Sequence, residues 1–182
     1  MSTAYPNYVD QPGLLAAMAA AGLSPHFIGT ALYVADLAAA QSLVSSYNPL
    51  PAIQAQALAT VATTLTARIS AGFTYNGVLV ACDEASQGKI DRVANMAENI
   101  IAGRSAVTWT SRTWPPFALG NPGVPLATAQ DMVTFGTAIG DYMADNEFHA
   151  ADLTAQIMAS TATAASIGAL DLDNSKGTWP TS

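Results

Sequence analysis

The residues able to do chemistry are few, and they are scattered. Asp145 and His149 stand four positions apart, the spacing that brings two side chains to one face of a helix and would let a carboxylate orient an imidazole for proton transfer or metal binding. Glu147, two positions from His149, points elsewhere. An isolated Asp-His pair on a helix is ordinarily a surface contact, and the second histidine, His26, follows Ser24-Pro25 in a predicted turn. Cys82 is the one cysteine, which excludes internal disulfides and a cysteine-based zinc site. Its apolar strand context predicts a core thiol, not a nucleophile.

The segment Asp171-Leu-Asp173-Asn-Ser175-Lys176-Gly177 is compared with a calcium loop, which needs oxygens at alternate positions, a glycine at the sixth and a glutamate at the twelfth. Lys176 takes the glycine position and Ser182 the last, so a plain turn is expected. There is no phosphate-cradling glycine loop and no Gly-x-Ser-x-Gly elbow. No catalytic, cofactor-binding or metal-binding residue is therefore assigned, no cofactor is expected, and the chain is read as a non-enzyme.

Composition bounds the class. Of 182 residues 51% are hydrophobic and only 10% charged, against about 25% charged in ordinary soluble domains. Disorder needs the opposite balance, so the chain folds. The net charge of -7, with six basic residues (Arg68, Lys89, Arg92, Arg104, Arg112 and Lys176) that form no cluster, argues against nucleic acid as a partner. No membrane span is expected either: Leu14 to Leu23 is too brief, and Ile28 to Val44 carries Asp36 and Gln41. The first ten residues hold no Lys or Arg, unlike the charged start of a secretory signal, so synthesis in a cytosol is expected.

The elements expected to carry these residues form a mainly α fold, a helical bundle with one small β-hairpin (72–82) and a Pro/Trp-rich loop (107–126). Three helices are predicted first: Pro12 to Gly22, Thr30 to Ser46 ending before Asn48-Pro49, and one from Pro51 with Ile53, Ala57, Leu58, Val61 and Leu65 on one face. Its opposite side carries Gln and Thr in place of Lys and Glu. Before Arg68 the only Asp, Glu, Lys or Arg residues are Asp10 and Asp36. Such a surface is too poor in charge to stay unassociated in water, so 1–66 is read as an alanine-rich helical docking or oligomerisation segment.

Asn76-Gly77 joins two apolar runs and predicts a type I′ hairpin, with Phe73 and Tyr75 sharing one side of their strand and Val78 and Val80 sharing one side of theirs. Asp83 should cap a helix reaching Ala102, with Ile90, Val93, Ala97, Ile100 and Ile101 inward and Gly103 as its stop. From Val107 to Leu126 the density of proline predicts an extended loop, with a short edge strand at Ala106 to Thr110. Its aromatics suit either a partner or a sugar, or clamp the loop to its own domain, the favoured reading. Thr128 and Asp131 open a long helix towards Ser160, striped by Met132, Phe135, Ile139, Tyr142, Ala150, Leu153 and Ile157 and interrupted by Asn146.

The order Ala71-Gly72-Phe73-x-Tyr75-x-Gly77, then Asp83-x-x-Ser86-Gln87-x-x-Ile90, then a Trp, then Leu126 leading to Asp131 and a long helix, resembles an uncharacterised domain of tailed bacteriophages. It is found among tail-fibre, virion and tail-assembly proteins. The resemblance covers about residues 67–182, read as a phage-type α-rich domain, and the terminal Trp179-Pro180 resembles endings common in the same gene neighbourhoods. This chain departs from the pattern between Trp109 and Leu126, where a longer Pro-rich loop with Gly120-Asn121 replaces a short stretch containing Asp-Asn; partner contacts made there do not transfer. The resemblance implies a structural subunit of a virion, tail- or fibre-associated, with other phage structural proteins and copies of itself as partners. An assembly chaperone that leaves before the virion matures is the alternative, and a hydrolase or glycan-active protein using the Trp-rich loop the third.

Overall fold

A computed structural model describes residues 2–6, 8–118 and 121–181; Gly120 and Ser182, named above, lie outside them. Among the described residues there are six helices and seven short strands, so the chain is a mixed α/β protein, not a helical bundle with one hairpin. Contacts divide it into two compact units, residues 1–59 with 156–170 and residues 60–155 with 171–182.

The first unit opens with strand β1 (Thr3–Ala4) and helix α1 (Leu14–Ala20), which ends where Gly22 takes a positive φ of 73°. Strands β2 (His26–Ile28) and β3 (Ala31–Val34) follow, and the sheet order is β1-β3-β2, antiparallel throughout. The predicted helix from Thr30 is thus overturned over its first turns. The stretch supplies Phe, Ile, Tyr and Val around a two-residue Gly29-Thr30 connection, and Leu32 and Val34 alternate inward to full burial, a period of two that satisfies a sheet covered on one side. Helix α2 (Leu37–Ser46) starts only at Asp36, whose carboxylate accepts from the Ala39 N–H at 3.0 Å. Leu14, Met18, Leu23, Leu32, Val34 and Ala40 form this unit's core.

Helix α3 (Leu50–Ala71) runs on from there as expected, with Ala57 and Val61 buried. In the second unit Asn76 and Gly77 both adopt positive φ and join β4 (Phe73–Tyr75) to β5 (Val78–Val80). Gly72 precedes them at φ 86°, and a Cβ there would lie 2.4 Å from the Val80 carbonyl oxygen, so only glycine lets the hairpin leave α3 this closely. Asp83 accepts from the Ser86 N–H at 2.9 Å and opens α4 (Glu84–Ile101). Ile90 and Ala97 are buried, but Ile101 is 53% exposed, contrary to its predicted inward position, because in the last turn it is the neighbouring Ile100 that packs against the core.

The Pro-rich stretch is not a plain loop. Its strand lies at β6 (Arg112–Trp114), not at Ala106 to Thr110, and pairs antiparallel with β7 (Val124–Leu126). Thr113 faces Pro125 in a two-stranded ribbon, which consists of edge strands only, the setting that tolerates a missing N–H. Thr128 and Asp131 then form a reciprocal cap, at 2.8 and 3.1 Å, for α5 (Ala129–Met158). The α5 stripe is buried from Met132 to Ile157, Asn146 included. A short α6 (Ala164–Gly168) carries its own capping box between Thr163 and Ser166.

Candidate functional site

The residues singled out for chemistry do not converge. His26 is exposed, its Nδ1 3.0 Å from the Ser24 carbonyl oxygen and its ring stacked on Tyr33. Cys82 is 1% exposed, and burial pushes its thiol up to about 11, so it is a neutral core group at ordinary pH. His149 turns onto Trp179 at 4.8 Å between ring centres instead of pairing with Asp145. Among the described residues no group of three or more His, Cys, Asp or Glu side chains is arranged to hold a metal ion.

The Asp171 segment forms the expected turn. One carboxylate oxygen accepts from the Lys176 N–H (3.1 Å), the other from the Thr178 N–H and hydroxyl (2.9 and 2.8 Å). Burial pushes the Asp171 carboxyl up, but those donors outweigh it and hold it below the ordinary carboxylate value. Asn174 and Gly177 supply the positive φ angles the chain reversal needs. Accepting from two backbone N–H groups and the Thr178 hydroxyl of its own turn, the carboxylate is a structural hub.

What the turn positions is Trp179, 2% exposed, whose indole N–H donates to the Asp171 carbonyl at 2.8 Å. Arg68 of α3 lies over its ring, 5.8 Å from the centroid, and donates both to the Pro180 carbonyl and to Asn146 Oδ1 (2.6 Å). Asn146, fully buried, returns its own N–H to the Tyr142 carbonyl at 2.7 Å, and the Tyr142 hydroxyl donates to the Arg68 carbonyl at 3.2 Å. The group therefore closes a polar lock among α3, α5 and the 171–180 turn. Sequence reasoning misses it: Asn146 registers only as a break in the α5 stripe, and Trp179 only as part of a terminal Trp-Pro resemblance. The available signal is Asn146 at a core register together with Arg68, the one Lys or Arg in the first 88 residues.

The Trp-rich ribbon likewise faces its own unit. The Trp109 indole donates to the Leu126 carbonyl at 3.2 Å with Arg112 over its ring, and Trp114 packs 5.6 Å from Phe135.

The remaining feature is a surface. Every Lys and Arg, and every Asp and Glu except Asp10 and Asp36, falls in the second unit. Those two carboxylates are already engaged, Asp10 by the Tyr8 hydroxyl at 2.6 Å and Asp36 as the α2 cap. The first unit thus shows water a nearly uncharged exterior, with Phe27 50% and Ile28 60% exposed on its outer strand. Such a surface offers burial and main-chain hydrogen bonding to whatever covers it.

No curated protein and no solved structure matches the chain. A family model described as a domain of unknown function, DUF4376, matches residues 52–172, from the first turn of α3 into the Asp171 turn, which begins earlier than the expected 67. With about two thirds of its length matched, the chain belongs to the DUF4376 family.

Proposed function

We propose that the chain is a structural subunit of a tailed-phage virion, tail- or fibre-associated, that works by packing against other phage structural proteins and copies of itself. One observation carries the reading: a folded unit whose only two carboxylates are both engaged internally, and whose outer strand bares Phe27 and Ile28. Exposed apolar area of this kind is stabilised when another polypeptide covers it, and flat Ala and Thr surfaces lose little side-chain entropy on being covered. The phage assignment is drawn from the resemblance of the hairpin, Asp83 cap and long-helix order to proteins of tailed phages.

Mass spectrometry of purified particles of a phage encoding this chain, combined with crosslinking, tests it. The expected result is many copies per particle, crosslinked through residues 1–59. Presence in the lysate with absence from the particle would convert the subunit into an assembly chaperone, and a freely monomeric chain in both would end the packing reading.

A further inference from the structure

Helices α4 and α5 leave a groove between them on the second unit, about 220 Å³ in volume. Ile90, Ile139 and Met143 line it, and two glycines one turn apart shape it. A Cβ on Gly136 would lie 3.0 Å from the Ala94 Cβ, so glycine there lets the helices close on one another. At Gly140 a Cβ would meet nothing within 4 Å, so the missing side chain there is open space. The exposed carboxylates Asp91 and Glu147 stand on the lining, which contains no Lys or Arg. The bases nearest in sequence, Lys89 and Arg92, line a different depression with Glu84. Helix α5 as a whole carries Asp131, Asp141, Asp145, Glu147 and Asp152 and no Lys or Arg.

We infer that this groove docks a basic segment of a different protein, taking a Lys or Arg whose aliphatic stem lies along Gly140 and Met143 and whose charge meets Asp91 and Glu147. An aliphatic floor with an anionic rim matches the divided character of those side chains, an apolar stem and a cationic head. A second copy is the wrong occupant, since two such grooves face to face would oppose four carboxylates. Nucleic acid is repelled by the same rim. The site stands on the groove alone: absence from virions leaves it intact, and loss of it leaves the virion reading intact.

The probe is a fluorescein-labelled helical peptide of alternating Lys and Leu pairs, titrated into the full chain and followed by anisotropy, with a Glu/Leu peptide as control. Gly140→Leu puts a bulky side chain where a Cβ meets open space and favours α5, and Asp91→Asn with Glu147→Gln strips the rim. Each should weaken Lys/Leu binding by about tenfold or more, and the rim pair should also remove its salt sensitivity. Glu84→Gln with Asp152→Asn removes the same charge elsewhere and should change affinity by less than about twofold. Equal weakening by that second pair, binding to Gly140→Leu as to the parent, equal binding of the Glu/Leu peptide, or no saturable binding below about 1 mM would each overturn the assignment. So would a groove variant that changed the oligomeric state, since the occupant would then be a second copy. Circular dichroism of each variant confirms the fold before titration.

Discussion

Among single residues, the polar side chains that matter are those that burial forces into partnership. Asn146 sits where the α5 stripe calls for an apolar group, and it is retained at full burial because its amide accepts from Arg68 and donates to Tyr142. Asn146→Leu should cost about 1–3 kcal/mol in urea unfolding, the penalty for leaving the Arg68 guanidinium short of an acceptor. A loss near zero would show that Arg68 finds another partner. Asp171 makes a pH prediction with a defined sign. Its folded pKa lies below the ordinary 3.8, so its contribution is present above that value and is lost as pH falls below it through the folded pKa. Acidification below about 4 should therefore lower the exchange protection factors of the Lys176 and Thr178 amides, and Asp171→Asn should show the lowered protection already at neutral pH. Cys82 should resist iodoacetamide at pH 8 in the folded chain and react on unfolding, because burial both screens the thiol and disfavours the thiolate.

Among the elements, the two α5 glycines separate helix propensity from packing. Gly140→Ala adds a side chain into open space and should stabilise the chain by up to about 1 kcal/mol. Gly136→Ala gains the same propensity but presses a Cβ to 3.0 Å from Ala94, a methyl with no rotamer to yield, so thermal unfolding should place it below the Gly140 variant. Elements announced by local chemistry are readable from sequence: the Asn76-Gly77 hairpin, the Asp83 cap and the Thr128/Asp131 box all act within four residues of where they stand. The β2–β3 hairpin is not, and its second strand reads as helix although Gly29-Thr30 and the Asp36 cap are both present. A short apolar run satisfies either period until the surface that covers it is known, and here Leu32 and Val34 are covered from one side only. The β6–β7 ribbon is displaced for a related reason, since proline density argues against helix and central strand alike but not against a two-stranded ribbon.

Across the entire chain, charge is partitioned by unit, and association should follow the uncharged one. Static light scattering over rising concentration should show self-association that persists in high salt, as expected of contacts without ion pairs. Phe27→Lys with Ile28→Lys should leave the chain monomeric at the same concentration; both positions are at least half exposed, so the change does not burden the core. A chain that stays monomeric without those substitutions would remove the physical basis of the packing reading.

Legible from the residues alone are the quantities that sum over the chain or act between near neighbours: the missing charge before Arg68, the absence of a cysteine pair, the turn at Asn76-Gly77, the caps and the buried stripe of α5. Folding in three dimensions settles the rest. It decides which charges share a unit, that residues 156–170 join 1–59 to leave a body with only Asp10 and Asp36, and that Arg68, Asn146 and Trp179 meet. Arg68 reaches Asn146 across 78 positions of sequence and Pro180 across 112. No local propensity encodes a meeting at such separation, because it is set by which faces of distant helices are buried together.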